Sequence, residues 1–485
     1  MLPASKNSKP SSAETAADLD ALYRRLRDNR WRIAKTSAAE RVVKLKKLRE
    51  AIFAMQKDLH KAIHDDFRKN PAETDLTETH LVIAEINDAI KHLAKWMKPK
   101  KVKTPMTLFG TSSEIRCEPK GVVLILSPWN YPFQLAVSPV VAAVSAGNVV
   151  LLKPSNKTPN TARFLKKLMA EVFPEDEIAV VEGDHTVADA LLEYPFDHIF
   201  FTGSPNVGKK IMTAAAKHLA PVTLELGGKS PVVVDETADI KKTASRVMWA
   251  KFINAGQTCV APDYLLIHES KAKEFVEEAK KAVASRYGDT PAAQAKSEDY
   301  CRLVSEQHGQ GLQKVLDESI KQGAKVEIGG LQGLNGDARF LPPTLLTNVT
   351  PETAIMREEI FGPILPILTY RNLDEAIALI RSREKPLALY VFSNDRAHTE
   401  EILKNTTAGG SCVNSLAVHL ANPNLPFGGV GMSGMGNYHG YFGFKTFSHE
   451  RAVLRQGAID TLKFFYPPYT PKLRKMIDFL TKHLS

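Results

Sequence analysis

From residue 121 the chain alternates short apolar runs with helical patterns, and this rhythm constrains the fold more than any other feature. The runs are GVVLIL (121–126), NVVLLK (148–153), IAVV (178–181), HIFF (198–201) and PVTLEL (221–226). Between them lie 133–146, 160–173, 185–193 and 206–219, which read as helices. Short apolar strands alternating with helices imply βαβ units around a buried parallel sheet. A second series starts at SPVVVD (230–235) and runs through YLLIH (264–268), KVEIG (325–329), PILPIL (363–368), LALYVF (387–392) and SCVN (411–414). The expectation is an α/β protein with two α/β domains and a cleft between them, where ligands meet the carboxyl ends of strands. The polar stretch 289–299 and the Gly-rich 329–336 read as loops, and no internal repeat is visible.

Residues 121–152 carry no charge and are long enough to cross a bilayer. Pro128, Pro132, Pro139 and Gly147-Asn148 break that stretch, so it reads as strand, loop, helix, strand. Upstream, residues 1–17 read as a frayed tail. Leu45, Leu48, Ile52, Met55 and Leu59 then form an apolar stripe on a basic helix that packs one face on the body. The N-terminus has no apolar secretory core, and the four cysteines (Cys117, Cys259, Cys301, Cys412) show neither CxxC nor a Cys/His metal spacing. A cytoplasmic protein without a disulfide framework or metal site is expected.

The net charge of +10 raises the question of polyanionic partners. Residues 1–110 hold 23 Lys/Arg against 14 Asp/Glu, and 451–485 hold 7 against 2, so the body between is mildly acidic at −4. The basic ends lack aromatic interleaving or a reader module, which argues against nucleic-acid binding.

Two glycine motifs are weighed by context. Gly429-Val430-Gly431-Met432-Ser433-Gly434 matches GxGxxG but opens no βαβ unit, so it reads as a tight turn lining a cleft. Gly203-Ser-Pro-Asn-Val-Gly208-Lys209-Lys210 resembles a P-loop, yet Lys210 replaces the hydroxyl that would hold Mg²⁺. It still follows a strand and opens a helix, a place that suits an anion such as a pyrophosphate.

Chemistry gathers around Cys259 in Phe252-Ile-Asn254-Ala-Gly256-Gln257-Thr-Cys259, just before a helix pattern. Alone it could be a buried structural thiol or a nucleophile of depressed pKa. Glu225 ends a strand in Glu225-Leu-Gly227-Gly228, and Asn130 follows one in Ser127-Pro128-Trp129-Asn130. Thiol, carboxylate and amide fit nucleophile, base and oxyanion donor.

These residues lie in longer motifs: SPWNYPF (127–133), GNVVLLKPS (147–155), FTGSPNVGKKI (201–211), LELGGKSPVVV (224–234), INAGQTCVAPDYLL (253–266), EEIFGPILPI (358–367) and LPFGGVGMSGMGNYHGYFGFKTFSHER (425–451). In that order they resemble the NAD(P)-dependent aldehyde dehydrogenase superfamily. CVAPDY and YHG…FKTFSH point to its class 3 branch, which includes fatty and aromatic aldehyde dehydrogenases. The resemblance implies oxidation of medium- or long-chain aliphatic or aromatic aldehydes to carboxylic acids. Cys259 would form a thiohemiacetal, hydride would pass to the nicotinamide, and water activated by Glu225 would hydrolyse the thioester. Asn130, with the Cys259 N–H, would hold the oxyanion.

The resemblance also assigns a cofactor site. Glu359 and Phe361 would hold the nicotinamide end, and Lys153 the adenosine ribose. Gly203 and Ser204 would form the turn at the pyrophosphate, with Trp129, Ser155, Asn156 and Gly208 beside them. Where the family often has Glu, this chain has Asn156 followed by Lys157, which should admit NADP⁺ as well as NAD⁺. The implied division is a cofactor domain (1–102 and 118–226), a catalytic domain (227–435), bridging strands for a homodimer (103–117 and 436–460) and a tail (461–485). The fold then becomes two doubly wound sheets plus a small β oligomerisation flap.

In the tail, Leu473, Met476, Ile477, Leu480 and Leu484 share a helical face, with Lys472, Arg474, Lys475 and Lys482 elsewhere. Such a helix can lie on anionic lipid or pack on protein, and packing is the simpler reading. A CoA-acylating dehydrogenase, which generally lacks the base, is the competing enzyme reading, and Glu225 argues against it. A non-catalytic binding protein on this fold would have lost Cys259, Glu225 or Asn130, and all three are present.

Overall fold

A computed structural model describes residues 16–331 and 336–483. β1 (Lys100–Val102) and β2 (Thr111–Pro119) come first. β3 (Val122–Leu126), β4 (Val149–Lys153), β5 (Ile178–Val180), β6 (His198–Gly203) and β7 (Val222–Leu226) form the first series. The second comprises β8 (Pro231–Val234), β9 (Tyr264–His268), β10 (Lys325–Ile328), β11 (Thr344–Thr347), β12 (Ile364–Tyr370), β13 (Ala388–Phe392) and β14 (Gly410–Val413). β15 (Gly434–Met435) and β16 (Ser448–Gln456) close the set.

Three sheets result, ordered β15-β7-β6-β3-β4-β5, β10-β11-β12-β9-β8-β13-β14 and β1-β2-β16. Pairing in the first two is parallel except at β15 on β7 and β10 on β11. The first sheet is apolar on both faces because helices cover both. Val123, Ile125, Val150 and Leu152 enter one core, while Val122, Leu124, Val149 and Leu151 enter the other. The chain leaves β3 toward β4 and β5, then returns to β6 on the other side. That reversal makes the ends of β3 and β6 a ligand crevice, and SPWN follows one while Gly203-Ser204 closes the other.

The charge-free stretch 121–152 is β3, a loop, the wholly buried helix Gln134–Ala146 and β4. Among the described residues no helix is long and apolar enough to cross a membrane.

Several expectations need correction. The stripe from Leu45 to Leu59 spans two helices, Ala38–Ala54 and Gln56–Phe67, because Met55 leaves helical geometry. Its face is nonetheless buried, with Leu45, Leu48, Ile52 and Leu59 at 0% exposure. The polar stretch 289–299 holds a short helix, Pro291–Lys296, started by Thr290 and a proline at its first turn. β11 and β15 were not foreseen. β11 carries two Thr around two Leu, too short a signal to stand alone.

The flap is real as a three-stranded antiparallel sheet, but β1 precedes residue 103 and the helix Gly440–Thr446 occupies part of 436–460. Residues 1–15 and 332–335, in the frayed-tail and Gly-rich readings, lie outside the described residues. The tail helix Pro471–His483 forms, yet of its apolar face only Leu473 is buried. Met476 and Ile477 are exposed, and Leu484 lies outside the described residues.

Candidate active site

β7 delivers Glu225 into the interior between β6, where Thr202 is its register partner, and β15, where Gly434 is. The side chain is 3% exposed, and among the described residues neither carboxylate oxygen has a hydrogen-bond partner. Burial pushes its carboxyl well above the usual carboxylate range. An orphaned buried carboxyl is costly, and such groups concentrate at functional sites.

Cys259 shares a cavity of about 320 Å³ with Glu225. Its thiol is free and half-buried. Burial, then the Glu359 and Glu225 carboxylates, push that thiol up to about 12. The resting site therefore favours the uncharged forms of both groups. The cavity wall is mostly apolar, including Leu76, Leu135, Trp249, Ile253, Leu387 and Val418. Cys259 sits in a turn before β9, at the amino end of the second sheet, and not ahead of a helix as its sequence suggests.

Asn130 is 3% exposed beside this cavity and does not line it. Its Nδ2 donates to Gln257 O at 3.1 Å, two residues before the thiol. Asn254 Nδ2 donates to Asn130 O at 2.8 Å and to Gln257 O at 3.0 Å, so one amide ties the two loops together. Gln257 Nε2 donates to Asn254 O at 3.0 Å and to Arg302 O at 3.1 Å, and its Oε1 accepts from Val304 N at 2.8 Å. Tyr131 and Thr258 hydroxyls meet at 2.6 Å.

The expected cofactor residues come from the strand ends of the first sheet and from the segment before β12 of the second. Gly203 ends β6, and a Cβ there would lie 2.4 Å from the Phe201 ring. Ser204 precedes the helix Pro205–Ala216 without a side-chain capping bond, which leaves its first N–H groups open to an anion. Gly208 lets that helix approach β7, since a Cβ would come 2.9 Å from Leu226 Cδ2. Lys153 is buried at the end of β4 and donates to Gly183 O at 2.7 Å and to Pro154 O at 3.4 Å. Burial holds its ammonium down to about 8. Ser155 Oγ accepts from Lys157 N at 3.2 Å, and Asn156 is exposed beside it.

Trp129 meets Phe361 edge to face at 5.2 Å, and the Lys157 ammonium lies over the Trp129 ring. Lys157 thus reaches Trp129 and a cavity of about 670 Å³ that also holds Glu359. Burial first, then Asp263, push the Glu359 carboxyl up to about 8. A Cβ on Gly227 would touch Glu359 Oε2 at 2.1 Å, so glycine makes room for that carboxylate. His308 Nε2–H donates to Phe361 O at 2.9 Å, supporting a residue held at φ 49°. The open helix N-terminus, the buried ammonium and the glycine cradle fit a dinucleotide.

The GxGxxG stretch is elsewhere. It folds as a turn held by Ser433 Oγ on Val430 N at 2.9 Å, and it pairs with β7 at Glu225. It walls the carboxylate, as its context predicts.

The family model for the aldehyde dehydrogenase family matches residues 5–453. The chain belongs to the aldehyde dehydrogenase family. Its relatives include a 4,4'-diaponeurosporen-aldehyde dehydrogenase of Staphylococcus aureus, 46% identical over 90% of this chain and 93% of the relative. Aldehyde dehydrogenase family 3 member H1 of Arabidopsis thaliana is 45% identical over 89% of this chain and 88% of its own. The substrate-bound Staphylococcus aureus AldH structure superposes with a TM-score of 0.90 at 44% identity, covering 95% of this chain and 99% of that one. The class 3 resemblance holds, and the chain is an NAD(P)-dependent oxidoreductase that converts aldehydes to carboxylic acids.

For an aldehyde dehydrogenase of this kind, the residue reading missed the supports. Asn254 and Gln257 stand inside the cysteine motif, but nothing in their spacing says which amide ties which loop. Glu73 Oε1 accepts from Asn254 N at 2.8 Å across 181 positions of sequence, and no local pattern marks such a contact.

Proposed function

We propose that Cys259 is the nucleophile, Glu225 the base and Asn130 the oxyanion donor of this aldehyde dehydrogenase. The observation that carries the proposal is the pairing of a free thiol with an unpartnered buried carboxyl in one apolar cavity. The Cys259 thiol gives up its proton to solvent water as sulfur bonds to the carbonyl carbon, forming a thiohemiacetal whose oxygen carries the negative charge. Asn130 Nδ2–H and the Cys259 N–H hold the developing oxyanion, for which Asn130 exchanges its bond to Gln257 O. Gly203, Ser204, Gly208, Lys153, Ser155, Asn156, Trp129, Glu359 and Phe361 would hold the dinucleotide. Bound there, its oxidised nicotinamide supplies the hydride acceptor that turns the thiohemiacetal into a thioester. Glu225, once deprotonated, takes a proton from water, whose oxygen attacks the thioester carbon. The C–S bond then breaks, Glu225 returns that proton to the departing sulfur, and the acid leaves with the Cys259 thiol and the Glu225 carboxylate restored. The mostly apolar wall supports medium- or long-chain aliphatic or aromatic aldehydes. The test is a panel of such aldehydes with both cofactors on the wild type and Cys259→Ser, and full activity in the variant overturns the mechanism.

Cofactor choice rests on Asn156. Without a carboxylate at this exposed position, a 2′-phosphate meets no repulsion. The specificity constants for NADP⁺ and NAD⁺ should therefore fall within about tenfold of each other, about 1.4 kcal/mol. A hundredfold preference for NAD⁺ defeats this reading.

We keep the division given above, with residues 103–117 and 436–460 bridging two copies and the strand Lys100–Val102 added to them. The exposed edges of β1 and β16 support a homodimer through the flap. The tail helix, seated at Leu473, is assigned to contact with protein. Neither the full chain nor one lacking 470–485 should co-sediment with anionic liposomes. Binding that disappears on truncation would assign the tail to lipid.

A further inference from the structure

The nucleophile loop is held in an unfavourable shape. Asn254 and Ala255 have φ of 54° and 49°, and Gly256 has φ of 74°. Three successive left-handed residues, two of them with side chains, persist only where surroundings impose them. Gly256 is packed so closely that a Cβ would lie 2.3 Å from Gly362 O. What imposes the turn at Asn254 comes from far away in sequence.

The source is a short segment on the N-terminal side. Glu73, in the helix Pro71–Thr74, accepts the Asn254 N–H. The π-turn Asp75–Thr79 follows at once and carries Glu78. Glu78 Oε2 accepts from Phe133 N at 2.9 Å and from Gln134 N at 3.2 Å, at the start of the buried helix behind Asn130. Its other oxygen meets Lys69 Nζ at 2.8 Å, with both side chains at 0% exposure. Lys69 also lies over the Tyr131 ring at 4.5 Å. A π-turn adds a residue to the helical register and often occurs at functional sites. One segment thus grips the loop of Asn130 through Glu78 and the loop of Cys259 through Glu73.

We infer that Glu73 is a positioning residue, holding Asn254 so that the nucleophile loop and the oxyanion loop keep one fixed spacing. The inference rests on the roles proposed above for Cys259 and Asn130. Glu73 lies outside the lining of the cavity shared by Cys259 and Glu225. It faces a neighbouring cavity of about 420 Å³ with Asn70, Arg286 and Asp299, which shares the walls Leu76, Trp249 and Ile253 with the first but leaves Glu73 itself off the aldehyde's lining. Asn254 transmits the hold, since the same residue donates to Asn130 O and Gln257 O.

Glu73→Leu removes the acceptor, whereas Glu73→Gln keeps an oxygen for the Asn254 N–H. The holoenzyme of each is assayed for kcat, for KM of aldehyde and cofactor, and for the rate of Cys259 alkylation by iodoacetamide. Glu73→Leu should lower kcat at least tenfold and slow alkylation, with both KM values within threefold of wild type. Glu73→Gln should recover kcat to within threefold. The inference is overturned if Glu73→Leu keeps kcat and alkylation within twofold. It is also overturned if Gln does no better than Leu, or if the loss appears in KM. Cys259→Ala and Asn130→Ala run alongside separate the two levels. If they stay active, the site reading itself has failed. If they are dead while Glu73→Leu is normal, only the positioning role falls.

Discussion

Replacing Cys259 with alanine should abolish aldehyde oxidation, lowering kcat by about 10⁴-fold or more, because the reaction loses its covalent route. The cavity, its apolar wall and the glycine cradle stay in place, so aldehyde and dinucleotide binding should change little. Tight binding measured by calorimetry, without turnover, is the expected signature. The substitution removes a sulfur atom from a half-buried position, so its cost in stability should stay within about 1–2 kcal/mol. Turnover above a hundredth of wild type by the purified variant would show that another group attacks the aldehyde.

Glu225→Gln is expected to separate activity from stability. Steady-state turnover should fall by about 10²–10⁴-fold, the usual worth of a positioned general base. The first round of reduced cofactor should still appear as a burst, because the thioester forms and then waits for water. Stability should hold or rise. Burial raises the Glu225 pKa in the folded protein, so at any pH above the unfolded carboxyl value the ionised group opposes folding. Stability is lost as pH climbs from the unfolded value toward the folded one, and the neutral amide escapes that loss.

Wild-type kcat should show an acid limb above the ordinary carboxylate range, since the base works only after losing its proton. The limb should vanish in Glu225→Gln. A variant that hydrolyses thioester at the wild-type rate, or that retains the limb, would remove Glu225 from the role.

The sequence made the strands of both series legible, β11 excepted, because a parallel sheet covered on both faces demands unbroken apolar runs. Such runs as GVVLIL and LALYVF admit few other readings. The carboxylate and amide were legible because strand ends fix where a side chain must emerge. The setting of Cys259 was misread. Its turn precedes a strand, and the left-handed residues before it leave no trace in apolar periodicity. Met55 broke the stripe for a similar reason: buried positions keep their spacing across a tight joint, so periodicity runs through it. The supports at Glu73, Glu78 and Lys69 stayed hidden because each acts through backbone atoms or a partner far along the chain. The exposed face of the tail helix shows the opposite limit, since an amphipathic pattern reports an apolar side and not what covers it.

One pairing described above governs the order in which this chain can be completed. β15 adds to the first sheet beside Glu225, although all its other strands are made before residue 227. The helix Gly440–Thr446 then packs on Gln134–Ala146, and Gly440 N donates to Glu85 at 2.7 Å. A nascent chain that has emerged through β7 therefore presents an unpaired sheet edge and an uncovered helix. It must keep both until the last tenth or so of the polypeptide leaves the ribosome. The first sheet is continuous in space without being continuous in time. Glu225 becomes enclosed only when the rest of the chain already exists.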